Sequence, residues 1–117
     1  MHNNLMNKIL QNNTQINIIK KKIITVCKLI YDPELSINIW DLGLIYNINI
    51  SLKSIISIEM TLTSPTCPIA GIIITEITKK IKLITPNKKN IILKLIWTPQ
   101  WNQSMISEEA KFALNLI

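Results

Sequence analysis

The sequence predicts an α/β (α+β) fold, a two-layer sandwich in which helices cover a three-stranded mixed sheet. Three observations predict it. Two apolar stripes have helical spacing, three segments alternate apolar and polar residues as strands do, and the elements follow the order α-β-β-α-β-α. A chain of 117 residues is long enough for one domain with its own apolar core.

The first helix is predicted from Gln15 onward, and Pro33 is expected to end its pattern. Residues 1–13 are rich in Asn, so we expect a flexible, frayed extension there and a single domain over residues 14–117. Cys27 falls on the apolar stripe, which favours a buried core thiol over a ligand. The stripe consists of Ile16, Ile19, Ile23, Val26, Cys27 and Ile30.

Two strands are predicted next, with apolar side chains at every second position between Leu44 and Leu52 and between Ile56 and Leu62. The link at Lys53 is so short that the two strands must form an antiparallel hairpin. The sheet is therefore expected to begin as a hairpin with one buried face.

A second helix is predicted after Pro68, because the apolar period changes from two residues to that of a helix. A third strand follows from Ile91 to Trp97. Ser107 precedes Glu108 and Glu109, and a hydroxyl followed by carboxylates is typical of a helix start. The stripe of the second helix consists of Ala70, Ile73, Ile74, Ile77, Ile81 and Ile84.

Composition narrows the classes of function. The net charge is +6, but lysine supplies all of the positive charge and arginine is absent, so we do not predict nucleic-acid binding. Glu76 interrupts the longest apolar stretch, which argues against a membrane span. Two cysteines without a CxxC pair and without a signal peptide indicate a reducing cytoplasm.

Residues 63–68 carry the most informative chemistry, because they join the second strand to the second helix. Pro68 suits the first helical position, which makes Cys67 the expected cap residue. Free backbone N–H groups and the helix dipole would there favour the thiolate, a nucleophile or a soft-metal ligand. A small residue that merely fits a tight turn explains the same sequence equally well.

Other candidate groups are weaker. The only histidine is His2, so a base for nucleophilic catalysis is missing near Cys67. Asp32, Glu34 and Asp41 are either paired carboxylates or, as is common in turns, local hydrogen-bond acceptors. Similarly, Trp97 and Trp101 form either a docking surface or the edge of the core.

Three blocks in this order resemble the SufT/PaaD family of metal–sulfur cluster assembly factors. They are DPELSINIWDLGLIY at 32–46, MTLTSPTCPIAG at 60–71 and LIWTPQWNQSMISEEAKFALNL at 95–116. The third block is most similar to the short bacterial forms that accompany the SUF cluster-assembly system. The resemblance implies the same α/β domain and a role in maturing iron–sulfur proteins.

The resemblance also implies which residues carry the function. It makes Cys67 the functional thiol that binds iron or an iron–sulfur cluster. Thr66 departs from the pattern at a position where the family often has Gly or Asn, and Asn115 departs at one where it often has Gly. Since one thiol cannot complete a cluster, any cluster is expected to be transient and shared between chains. The other motif positions are Asp32, Pro33, Glu34, Asp41, Gly43, Thr61, Thr63 and Pro68.

The function expected from these residues and from the resemblance is that of a cytoplasmic, non-enzymatic accessory factor, a carrier or adaptor in iron–sulfur cluster assembly or transfer. Its expected partners are a SUF-type scaffold, client iron–sulfur apoproteins and a second copy of the chain. Two alternatives stay open: a maturation factor for one client, such as an oxygenase-type metalloenzyme, and a thiol-dependent enzyme.

Overall fold

The computed structural model of the chain describes residues 2–33, 35–51, 55–64, 70–85 and 90–115. Three helices and a three-stranded mixed sheet confirm the predicted fold class and element order. The elements are α1 (His2–Cys27), β1 (Ile45–Ile50), β2 (Ile55–Met60), α2 (Ala70–Ile84), β3 (Asn90–Leu95), a 3-10 turn (Gln103–Met105) and α3 (Glu108–Ala113).

Helix α1 is longer at its start than predicted. It begins at His2 rather than near Gln15, so residues 2–13 are helical, while their flexibility stays a prediction. No glycine or proline occurs in residues 1–31, and each added helical residue gains one backbone hydrogen bond. The helix of 26 residues is about 39 Å long at 1.5 Å per residue.

Strand β2 is the centre of the sheet. It pairs antiparallel with β1 and parallel with β3, as a hairpin followed by a helical crossover requires. Ile58 lies opposite Ile48 on one side and Leu93 on the other. A β-bulge between Ile45 and Asn47 interrupts the β1 register, which the alternation alone did not predict.

The core lies between the helices and one face of the sheet. Helix α1 packs on β1 and α2, and α2 packs on β3. Polar residues such as Asn47 and Glu59, which are hydrogen-bonded at 3.3 Å, occupy the other face. The apolar patterns predicted from the sequence supply a large part of this core: Ile23, Val26, Cys27, Ile30, Ile48, Ile56, Ile58, Met60, Ile73, Ile77 and Ile81.

Helix α3 begins as the sequence predicts, and it ends at a position where glycine is common but this chain has Asn115. Ser107 is the N-cap, and its hydroxyl accepts from the Ala110 N–H at 3.2 Å. Asn115 takes the left-handed conformation that glycine usually supplies after a helix, with φ 59°. The missing glycine therefore does not prevent this turn. None of the helices in the described ranges combines the length and apolar character that a membrane crossing requires.

Candidate functional site

The end of β2 leads into the segment that carries the predicted thiol. Thr61 and Leu62 are buried there, and Thr63 is half-buried. The Thr61 N–H donates to the carbonyl oxygen of Leu44 at 2.8 Å, which extends the β1–β2 pairing by one step. Cys67 and Pro68 lie outside the described residues, so the expected cap geometry of the thiol stays a prediction.

The hydroxyl of Thr61 is buried without a hydrogen-bond partner, alone among the side chains that the structure describes. An unpaired buried hydroxyl costs about 1–3 kcal/mol. A valine of the same shape would avoid that cost. The polar atom is therefore not explained by the packing of the described fold, and it lies at the strand end nearest in sequence to Cys67.

The loop of residues 32–44, which we call the motif loop, connects the region after α1 to β1. Its first carboxylate, Asp32, is buried, and Oδ1 accepts from the Leu35 N–H at 3.1 Å. The Asp32 carbonyl accepts from the Ser36 N–H at 2.9 Å, and Ser36 has a left-handed φ of 57°. Asp32 therefore stabilises a tight turn, while Glu34 lies outside the described residues.

The second carboxylate of the motif loop also has a local partner. Asn38 Nδ2 donates to Asp41 Oδ2 at 2.7 Å, and the Asp41 N–H donates to Asn38 Oδ1 at 2.8 Å. This reciprocal pair closes the second turn of the loop. For both Asp32 and Asp41 the contacts fit the interpretation as local hydrogen-bond acceptors rather than as paired carboxylates.

The backbone conformation and the packing at position 43 explain why the motif has a glycine there. Its φ is +77°, a conformation that disfavours a side chain. A Cβ atom at this position would also overlap the carbonyl oxygen of Met105. This close approach brings the segment that follows β3, which we call the C-terminal segment, against the motif loop.

Two further hydrogen bonds hold the C-terminal segment on the motif loop. Trp101 Nε1 donates to the Leu42 carbonyl at 2.6 Å, and the Ser107 N–H donates to the Asp41 carbonyl at 2.7 Å. Trp101 is half-buried and packs on the core, which favours the core-edge interpretation, whereas Trp97 is exposed. The loop, the end of β2 and the C-terminal segment thus form one connected unit.

Cys27 is a fully buried, free thiol on the apolar face of α1, as predicted. Burial raises the pKa of the Cys27 thiol from 9.0 to about 12. It therefore stays protonated at neutral pH. A thiol must lose its proton to bind iron, so Cys27 does not fit a cluster ligand.

The described ranges hold no cluster of three or more His, Cys, Asp or Glu side chains that could bind a metal ion. Since the whole sequence has two cysteines, the remaining thiol is that of Cys67. The structure joins Asp41, Gly43 and Thr61 through the motif loop. Sequence reasoning missed Asn38, although it lies three positions before Asp41, the spacing of a side-chain turn.

Comparison with known proteins agrees with a small α+β assembly domain. The profile of the iron–sulfur cluster assembly protein family matches residues 20–92, more than half of the chain. An Fe-S protein maturation auxiliary factor of Porphyromonas gingivalis is 36% identical over 98 residues, which are 84% of this chain and 92% of that protein. The Fe-S protein maturation auxiliary factor SufT of Staphylococcus aureus is 35% identical over 88 residues, 75% of this chain and 99% of that protein.

A solved structure has the same fold. The crystal structure of a domain of unknown function, DUF59, from Bacillus anthracis aligns with a TM-score of 0.78 and 31% identity, over 86% of this chain and 95% of that chain. This chain belongs to the iron–sulfur cluster assembly protein family. The resemblance inferred from the three sequence blocks is thereby confirmed.

Proposed function

We propose that this chain is a non-catalytic accessory factor that carries iron–sulfur clusters, or adapts a scaffold to its clients, through the thiol of Cys67. One observation carries the proposal: the sequence has two cysteines, and one of them, Cys27, is buried and protonated. Membership of the family supports it, and relatives named maturation auxiliary factors support an auxiliary rather than an enzymatic role.

The cluster is cargo rather than a resident cofactor of this chain. Clusters are held by four ligands, usually thiolates, and this chain supplies one. The remaining ligands come from a SUF-type scaffold, from a client apoprotein or from a second copy of the chain. A reducing cytoplasm suits this chemistry, because Cys67 must remain a free thiol between transfers.

Thr61 and the motif loop contribute to the proposed site at Cys67. The buried Thr61 hydroxyl has no partner in the described fold, and its backbone is hydrogen-bonded to Leu44 at the end of the motif loop. In our proposal this hydroxyl donates to the bound group or to the thiolate. Asp32, Asp41 and Gly43 act as positioning residues that fix the loop around Thr61.

Anaerobic reconstitution with iron and sulfide tests the proposal. The intact chain is expected to gain the sulfur-to-iron absorption of a cluster and to shift to a dimer in light scattering. Cys67→Ser should lose both changes, and Cys27→Ala, as the matched control, should keep both. A strictly monomeric chain that holds a full cluster, or a Cys67→Ser variant that reconstitutes normally, would contradict the assignment.

A further inference from the structure

A groove runs between α1 and α2, and it has an apolar floor and lysines along its side. Ile18 of α1, Leu29 in the turn just after α1 and Leu83 of α2 line it, with 49%, 63% and 80% of their surfaces exposed. Lys21 and Lys22 line the same open groove, which has a volume of about 730 Å³. We call this feature the lysine groove.

The exposed apolar residues of the groove are not scattered. Ile18, Lys22 and Thr25 recur at helical spacing, so they share one face of α1. Leu29, in the turn after the helix, and Leu83, on α2, line the same groove. Single exposed apolar side chains are common on protein surfaces, but a contiguous apolar strip with a polar margin is typical of a binding surface.

The charge around the groove has one sign. Residues 1–31 contain no acidic residue, so α1 offers only lysines to the groove. On α2 the single acidic residue, Glu76, is paired with Lys80 at 3.2 Å, while Lys79 and Lys82 are exposed. A partner segment with acidic residues beside its apolar face would complement this field.

We propose that the lysine groove binds an acidic amphipathic helix of a partner protein. Two packed helices leave a concave channel that accepts the apolar ridge of a third, with anchors spaced three and four residues apart. Glutamates that flank those anchors would meet Lys21 and Lys22. An apolar floor is of no use to a phosphate backbone, and a concave channel does not match a lipid surface.

This inference goes beyond the proposed function, because it requires neither Cys67 nor a cluster. It identifies a surface through which a scaffold or client could be held while a cluster moves. Its test is accordingly a binding measurement on the protein without iron.

Fluorescence anisotropy with a labelled synthetic peptide tests the groove. The peptide has about 16 residues, with leucines at i, i+3, i+4 and i+7, glutamates beside these anchors and alanines at the other positions to favour the helix. It is expected to bind, and Leu29→Ser/Leu83→Ser should weaken binding at least about tenfold, the typical effect of losing a buried apolar anchor. Phe112→Ser on α3, at a side chain that is 75% exposed, is the matched control and should change nothing.

A second pair of variants tests the charge. Lys21→Gln/Lys22→Gln should weaken peptide binding and flatten its salt dependence, whereas the exposed Lys94→Gln should not. A peptide with glutamine in place of glutamate should bind weakly to every variant. Circular dichroism melts should show that all variants stay folded.

Three results would overturn the proposal. The first is no binding of the acidic peptide by the unmodified chain. The second is equal binding by the groove variants and their controls. The third is tighter binding of single-stranded RNA or of vesicles with anionic lipid, lost in the same groove variants, which would assign the groove to a nucleic acid or a membrane instead.

Discussion

Gly43 and Met105 approach each other so closely that a Cβ atom at position 43 would overlap the Met105 carbonyl oxygen. Gly43 also has φ +77°, so a side chain there meets both backbone strain and a steric clash. We expect Gly43→Ala to lower the free energy of unfolding by about 2–4 kcal/mol, measured by urea denaturation.

Gly71 is the matched control for that substitution. It lies in the first turn of α2, and a Cβ there would meet nothing within 4 Å. Gly71→Ala should leave stability unchanged or raise it by up to about 1 kcal/mol. Equal losses at the two glycines would contradict the packing explanation for Gly43.

Asp41 is expected to stabilise the fold through the acceptor oxygen of its side chain rather than through its negative charge. Asp41→Ala leaves the buried Asn38 amide without its acceptor, at a cost of about 1–2 kcal/mol. Asp41→Asn keeps an acceptor oxygen, so both stability and maturation of client proteins in cells should survive. A well-folded Asp41→Asn variant without maturation activity would instead assign the carboxylate a direct role.

Residues 1–13 are expected to be dispensable for folding. The described side chains from Asn4 to Gln11 are exposed, and a chain that starts at Thr14 keeps a hydroxyl for capping the shortened helix. Removal of residues 1–13 should change the free energy of unfolding by less than about 0.5 kcal/mol. Removal of residues 1–19 also deletes the core contact of Ile19, so it should clearly lower the free energy of unfolding. Similar losses of stability in the two truncated chains would contradict the prediction that residues 1–13 are dispensable.

The elements of the fold were predictable where their pattern is local. The stripe of α2 and the alternation of β2 each lie within one segment, and the structure buries Ile73, Ile77 and Ile81 as expected. The start of α1 was missed because Asn-rich sequence suggests fraying, whereas the helix continues back to His2 through a stretch that contains neither glycine nor proline.

The supports of the candidate site were predictable only in part. The motif suggested Gly43, but its reason, the Met105 carbonyl, comes from a distant segment. Trp101 and Leu42 are likewise 59 positions apart when they form their hydrogen bond. Such contacts depend on how the elements pack, and no local period reports them.

The Cys27 thiol should make stability depend on alkaline pH. Its pKa is raised from 9.0 to about 12 in the folded chain, so the unfolded state loses the proton first. The stability that this group contributes is fully present below pH 9.0 and is lost up to about pH 12, at about 1.4 kcal/mol per pH unit. Between about pH 8 and pH 10 the intact chain should therefore lose about 1.4 kcal/mol more than Cys27→Ala.

Urea denaturation of both proteins at the two pH values measures this difference. The two proteins differ only at position 27, so the contributions of all other groups cancel in the comparison. Parallel losses in the two proteins would show that the Cys27 thiol is not held in its protonated form by the fold.

The two cysteines should separate folding from function. Cys27→Ser places a hydroxyl in the core, at a cost of about 1–3 kcal/mol unless it finds a partner. Cys67→Ser, in the segment before α2, is expected to keep a capping oxygen and to leave the melting temperature nearly unchanged. What serine cannot replace is the soft, ionisable sulfur, so cluster binding and client maturation should collapse in Cys67→Ser alone. Thiol labelling of the folded, unmodified chain should accordingly modify Cys67 and spare Cys27. If Cys67→Ser kept full maturation in cells, or if Cys27→Ser abolished cluster binding without loss of stability, the working thiol would have been assigned to the wrong cysteine.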